Sequence, residues 1–249
     1  MEKPINLYIS PDMVPSLGVL AMLYPNPTNL YSDLHKDKVS IPQELGYMSC
    51  PAVRNKFKKI LNYSCGIDAE YEYDFTQGNN FIQNTKGTAL PIRKTRDNGM
   101  AQGLTLDLNY AQYFFADEPL TINFTPPYFH KPQYLNYGSI LPGIYDVGQW
   151  FRPFILEMQL WSHKGEVKLK AGEPLFYAEL MTERKVNIHR FKVNDEINTI
   201  AQACIRHADM FGYGSTLATR YKRFRAAGLR EKMLSEIKKN IIEENFLTL

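Results

Sequence analysis

The sequence predicts an α+β protein: a mainly antiparallel β-sandwich or distorted barrel, of jelly-roll or β-clip type, with a helical C-terminal region. Three observations lead there. Apolar and polar residues alternate strictly over residues 67–75, and further short apolar runs recur as far as residue 181. Aromatic residues are abundant, 16 Tyr and 14 Phe beside 15 Pro, which suits strands and structured loops better than a helical bundle. Beyond about residue 194 the apolar spacing changes to three and four, the period of a helix with one buried face. Strands first and helices after them make an α+β chain. The expected division is a β-rich body over 1–193, with one short helix near 51–62, and a helical region over 194–249 packed on it.

The elements follow in order. The first 45 residues set short apolar pieces such as Ile5-Leu7-Ile9 between prolines (Pro11, Pro15, Pro25, Pro27, Pro42), a strand-and-loop pattern. Residues 51–62 place Val53, Phe57, Ile60 and Leu61 at helical spacing behind Pro51, which suits a first turn. Over 67–75, Ile67, Ala69, Tyr71, Tyr73 and Phe75 share one strand face; Asp68, Glu70, Glu72 and Asp74 share the other. Further strands are expected at 103–108 and 111–116, separated by Asn109, then at 120–124, 154–161, 166–170 and 174–181, with the last two joined as a hairpin at Lys170-Ala171-Gly172-Glu173. Thr125-Pro126-Pro127 opens a long aromatic loop that runs to Pro142-Gly143. Asn194 or Asp195 caps a first C-terminal helix, and Ser215 caps a second that carries Leu217, Tyr221 and Phe224. Gly228 ends the second, and Leu229, Met233, Ile237 and Ile241 line a third.

A chain of 249 residues, 44% hydrophobic and 22% charged, buries enough surface to fold without a disulfide or metal. Cys50, Cys65 and Cys204 are odd in number and lack CxxC or Cys/His spacing, so they read as buried free thiols in a reducing compartment. Trp150 and Trp161 adjoin apolar strands and are expected inside. The first residues lack the pattern of a secretion signal, and no apolar run reaches the roughly 18 residues of a membrane span. The expected location is the cytosol or a particle assembled in it, with no membrane partner.

Chemistry-bearing motifs are sparse. His35, His130, His163, His189 and His207 form none of HxH, HxxxH or HExxH. His207-Ala208-Asp209 has the spacing of an iron-oxygenase pair but has no later histidine to complete it. Gly-rich phosphate loops and the Gly-x-Ser-x-Gly elbow are absent, and no cofactor is expected. The acidic face Asp68, Glu70, Glu72 and Asp74 has two readings, a solvated outer face or a seat for a hard cation. Arg152, next to Trp150 in an aromatic and proline-rich stretch, is either stacked in a structural corner or an anion-recognition group. Tyr128 and His130 are the candidate contact residues of the aromatic loop. Residues 220–239 hold eight bases against two acids, a net +6, which leaves the rest of the chain at −3. Arg220, Lys222, Arg223 and Arg225, interleaved with Tyr221 and Phe224, are candidates for contact with nucleic acid or an acidic protein.

Two stretches resemble an uncharacterised family of tailed-phage proteins common in marine phages. One is Ser49-Cys50-Pro51-Ala52 with the basic helix after it. The other runs from Pro142-Gly143 through Asp146-Val147-Gly148-Gln149-Trp150-Phe151-Arg152-Pro153 to Gly172-Glu173-Pro174-Leu175-Phe176-Tyr177 and ends near Arg190-Phe191. The resemblance implies a viral origin and no particular activity. A second set, Pro142-Gly143, Gly148, Trp150, Leu156-Glu157-Met158 and Gly172 with Leu175-Phe176, is similar to the dUTPase and dCTP deaminase group. The catalytic motifs of that group do not match here, so this likeness implies fold alone.

The expectation is therefore a non-enzymatic phage protein, virion-associated or accessory, that engages a protein partner or self-assembles, with nucleic acid possible through the C-terminal helices. The alternative is a nucleotide-directed hydrolase with Arg152 near phosphate and magnesium on the acidic strand. All three cysteines are expected as free thiols. Titration with a thiol reagent under denaturing, non-reducing conditions should return three, and a count of one would reveal a disulfide.

Overall fold

Ile5-Asn6-Leu7-Tyr8-Ile9 is too dense in apolar residues to keep one strand face in water. The computed structural model describes residues 2–10, 25–36, 49–76, 81–87, 93–97, 104–149, 153–206 and 216–249. In it this run is β1 (Ile5–Ile9), and four of its five residues are buried. β1 lies parallel to β15 (Val186–Phe191) and antiparallel to β8 (Phe114–Ala116), with β16 (Ile241–Thr248) outside β15. β1, β8 and β15 are covered on both faces, while the outer strand β16 is largely exposed. Ile5, Leu7, Ile9, Phe114, Ala116, Val186 and Ile188 face the main core. Tyr8, Phe115 and Phe191 face a second core, shared with the helices. Cover on both faces is the usual setting of a parallel strand pair.

Three helices build that second core: α3 (Asp195–Arg206), α4 (Leu217–Ala226) and α5 (Leu229–Lys239). Asn194 caps α3 by accepting the Ile197 amide at 2.9 Å. Thr216, with its side chain accepting the Thr219 amide, caps α4; Ser215 lies outside the described residues. Gly228, at φ +64, turns α4 into α5, a left-handed conformation that suits glycine. Ile197, Ile200, Phe224, Met233 and Ile237 pack onto Tyr8 and Phe115. Arg230 fastens the helices to the body. Its Nε donates to the Gly148 carbonyl at 2.8 Å, Nη2 donates to Ala116 and Asp117 at 3.2 and 3.0 Å, and the guanidinium lies over the Phe115 ring. Counted above with the basic tail, Arg230 is a structural tie. Ile241, expected on the third helix, belongs instead to β16, because Asn240 closes α5 and the chain returns to pair with β15.

The rest of the body is three further sheets, in the orders β10-β12-β7-β6, β11-β9-β14-β3-β2 and β13-β4-β5. Their strands are β2 (Thr28–Asn29), β3 (Ile60–Ser64), β4 (Ala69–Asp74), β5 (Phe81–Gly87), β6 (Arg93–Asp97), β7 (Leu104–Gln112), β9 (Thr121–Thr125), β10 (Gly138–Ile140), β11 (Gly143–Asp146), β12 (Phe154–Leu160), β13 (Lys164–Leu169) and β14 (Pro174–Leu180). Pairing inside these sheets is antiparallel. The class is α+β, and among the described residues no sheet closes into a barrel. Aromatic rings hold the sheets together. Phe154 of β12 stacks on Phe124 of β9 at 4.1 Å, and Phe114 of β8 meets both edge-on. Off-centre and edge-on ring pairs add about 0.5–1.5 kcal/mol each beyond the area they bury.

Several expectations are corrected. The helix predicted over 51–62 is α2 (Pro51–Phe57) and stops there; Ile60 and Leu61 enter β3, where both are buried against β14. Asn109 does not interrupt β7. The break falls at Tyr113, where the buried Ser10 takes over the backbone: its amide donates to the Tyr113 carbonyl and its hydroxyl accepts the Tyr113 amide. The aromatic loop contains a 3₁₀ turn (Gln133–Asn136) and the edge strands β10 and β11. The turn at residues 170–173 is present, with Gly172 at φ +82, but β13 and β14 do not pair with each other. β13 pairs with β4 and β14 with β3, so β3–β4 and β13–β14 form one long ribbon bent where Cys65 meets Gly172 and Glu173. Trp161 is 57% exposed; its indole N–H donates to the Leu135 carbonyl from the end of β12, at a rim where nothing covers the ring. Cys65 is buried, and burial pushes its thiol up to about 11. Cys50 is exposed at the start of α2, where the Val53 and Ala52 amides pull its thiol down. Trp150 lies outside the described residues.

The outer strand β16 is tied inward through His189. Its ring stacks on Tyr8, its Nε2 donates to Asn6 Oδ1 at 3.0 Å, and its Nδ1 accepts the Asn245 amide at 3.4 Å. Asn6 in turn donates to both carboxylate oxygens of Asp117. An Nδ1 that accepts must be unprotonated, so this arrangement requires the neutral ring. Burial lowers the His189 pKa, while Glu244 and Asp117 pull the other way. With the folded value below the unfolded one near 6.5, the unfolded chain binds the extra proton, and stability falls as pH drops through that window. Urea unfolding between about pH 7.5 and 5 should show that loss. His189→Gln should flatten the slope; an unchanged slope would mean that the ring does not titrate on unfolding.

Candidate functional site

Pro126 and Pro127 fix φ and withhold amide donors, so the chain leaves the sheet after β9. The next residues are displayed and anchored at once. Tyr128 is 52% and Phe129 39% exposed. Phe129 meets the buried Phe57 of α2 edge-on at 4.5 Å, and Tyr128 meets the buried Tyr177 of β14 edge-on at 5.1 Å. His130 Nδ1 is hydrogen-bonded to the Tyr177 hydroxyl. Further along, the Gln133 amide donates to Glu173 Oε2 at 2.8 Å, and Tyr134 donates to the Leu175 carbonyl at 2.6 Å. Residues 128–134 of the loop are thus held by α2, by β14 and by Glu173 just before β14. Lys56 and Glu179 pair at 3.4 Å beside it, and burial together with Glu179 pushes the Tyr128 phenol up to about 12. Tyr128 keeps its proton at neutral pH and stands as a hydrogen-bond donor on an aromatic ring.

The other sequence candidates lie elsewhere. The acidic residues of β4 face outward between two lysine-bearing neighbours. Lys164 reaches Asp74 at 2.9 Å, Lys86 reaches Glu70 at 3.5 Å, and Asp68 accepts the Ala171 amide at 3.0 Å. Glu72 sits opposite Glu166, whose carboxylate is held by Lys168 and Tyr137. An open groove of about 600 Å³ crosses this face, lined by Glu72, Asp74, Phe81, Lys164 and Glu166. Among the described residues no three His, Cys, Asp or Glu side chains converge as a metal site. Glu70 and Asp74 are thus compensated by lysines, and Glu72 has no cation partner among the described residues.

On α4, Lys222, Arg223 and Arg225 are exposed and Arg220 is half-buried. Phe224 is fully buried and Tyr221 half-buried, so the interleaved aromatics expected to touch a partner point inward instead. Arg152 and the His207-Ala208-Asp209 motif lie outside the described residues. Among those residues no helix is long and apolar enough to cross a membrane.

The loop was legible in its prolines and aromatics; its support was not. Tyr177 belongs to the apolar run Leu175-Phe176-Tyr177-Ala178, and nothing in that run says that its hydroxyl meets residue 130. Phe57 looks like any core residue of an amphipathic helix. No protein-family model matches the chain, and no curated protein or solved structure is similar to it.

Tyr177→Phe keeps the ring and removes the hydroxyl. It should cost about 1 kcal/mol in urea unfolding and raise hydrogen exchange in a peptide spanning 126–133. Unchanged exchange there would show that the Tyr177 hydroxyl does not order the loop.

Proposed function

We propose that this chain is a non-enzymatic phage protein, virion-associated or accessory in the host cytoplasm, that engages a protein partner or a second copy of itself. One observation carries the reading: the Tyr128–Phe129 pair is exposed yet fixed on Phe57 and Tyr177. Interface energy concentrates in a few aromatic and Arg side chains encircled by polar groups. Rings already held in place lose little freedom on binding. Lys56 and Glu179 supply the polar edge.

The viral assignment rests on the resemblance of Ser49–Ala52 and of the stretch from Pro142 to Tyr177 to tailed-phage proteins. A jelly-roll or β-clip arrangement is the finer reading of four sheets around one core; the corners at Tyr113 and at Cys65–Gly172, where strands pass between sheets, support it. The hydrolase alternative requires Arg152 beside at least two carboxylates. The β4 carboxylates that would hold magnesium there are largely engaged by lysines and a backbone amide, which favours the binding reading.

A photo-crosslinking residue at position 128 tests it, with one at exposed Ile242 on β16 as control. Irradiation of the purified chain, and of extract from infected cells, should give an adduct of discrete mass from 128 that 242 does not give. Identical patterns from the two positions, or no adduct from 128, would remove the proposal. Release of pyrophosphate from dUTP or dCTP with magnesium would overturn its non-enzymatic part.

A further inference from the structure

Some bases of the body are answered by acids, Lys86 by Glu70, Lys164 by Asp74, Lys168 by Glu166, Arg184 by Glu118 and Arg190 by Glu243. Exposed Lys131, Lys170, Lys185 and Lys192, by contrast, stand scattered without an ion pair among the described residues. On α5, Lys232 pairs with Glu196 and Lys239 with Glu236. Helix α4 differs in concentrating unpaired bases on one element. Its ten residues, Leu-Ala-Thr-Arg-Tyr-Lys-Arg-Phe-Arg-Ala, include four cations and no acid. Among the described residues none of the side chains of Arg220, Lys222, Arg223 and Arg225 makes an ion pair or hydrogen bond.

We infer that the solvent face of α4 seats the phosphate backbone of a nucleic-acid duplex, without regard to base sequence. Helix electrostatics accounts for part of the charge, since cations in a last turn oppose the dipole. That explains Arg223 and Arg225 but neither Lys222 nor the absence of any acid in the first turn. The spaces between the cations hold Ala218, Thr219 and Ala226, small residues that let a backbone approach. A protein partner would call for an apolar or aromatic anchor at the centre of contact, and Ala218, Thr219, Lys222, Arg225 and Ala226, the described residues of this face, offer none. Stacking on unpaired bases is disfavoured, because Phe224 is buried and Tyr221 is half-buried against the helices. What remains is charge on a rigid mount. Phe224 meets Phe115 at 6.5 Å, and Arg230 of the next helix is bound to three body carbonyls. Lys222 and Arg225 lie one turn apart on the same side, with Arg223 about 100° around the helix, so two or three phosphates can be met together.

The test is fluorescence anisotropy of the full chain with a labelled random-sequence duplex of about 20 base pairs, at about 50 and 200 mM salt. Two or three phosphate contacts predict a loss of about 10- to 40-fold in affinity across that range. A second duplex sequence should bind equally, and a single strand of the same length more weakly. Lys222→Glu with Arg223→Glu and Arg225→Glu should abolish binding, while Lys170→Glu and the pair Tyr128→Ala/Phe129→Ala should leave it intact. Circular dichroism checks that the triple variant folds; Lys222→Gln with Arg225→Gln, a milder change, should lower the salt slope by about 2. No binding at the lower salt, a triple variant that binds like the parent, or competition by polyglutamate as effective as by DNA would each overturn the inference. A reversal of effects, in which the Tyr128/Phe129 variant loses DNA binding, would do the same.

Discussion

The pairing of β1 with β15 holds the molecule together. It joins the first described strand to one that follows most of the chain, and both strands are largely buried on either face. Ile5, Leu7 and Ile9 look into the β body, and Tyr8, between Leu7 and Ile9, looks into the helices. Each core therefore has the same four strands as its wall. A cavity on either side is felt by the other, because neighbouring residues of one strand serve both. Arg230 reinforces this from the helix side, where its guanidinium takes three carbonyls that the sheet leaves unpaired. Truncating that side chain would leave three part-buried carbonyls without this donor, which lowers stability.

The same wall explains what was legible in the sequence. Strand β4 could be read residue by residue, since one face is dry and the other wet, and the alternation records that difference. Caps were legible too: Asn194 and Gly228 act through local geometry that depends on little beyond their neighbours. Ile5–Ile9 could be recognised as apolar but not assigned a period, because both sides are covered. β16 was read as the end of a helix; its residues alternate poorly, and only the unpaired edge of β15 makes them a strand. Asn109 has the chemistry of a turn residue, yet the turn falls at Tyr113 because the buried Ser10, remote in sequence, supplies the hydrogen bonds there. Local propensity yields to a partner that no local window contains.

The candidate surfaces divide in the same way. Prolines and aromatics mark the loop at 125–137, and the bases of α4 can be counted directly. The sequence hid which groups were already occupied. Glu70 and Asp74 of β4 are answered by Lys86 and Lys164 across strand pairs that only the folded register creates. The bases of α4 have no such neighbours among the described residues. Composition treats the two sets alike, and three-dimensional pairing separates a quiet surface from one whose charge is still available to a partner.

The bent ribbon of β3–β4 against β13–β14 carries a consequence for how the chain reaches this state. Residues 60–74 find their partners only at 164–179, so closing the ribbon means closing a loop of about a hundred residues before any of its hydrogen bonds form. The β4–β5 hairpin and the α3–α5 helices can organise early from near neighbours, whereas the ribbon must wait for the far segment. High average separation between contacting residues slows folding. Until the far strands arrive, β4 offers an open edge, with Tyr71 and Tyr73 uncovered. During that interval the residues most exposed to misassembly belong to the central strand of the sheet, whose regular alternation also suits foreign strands.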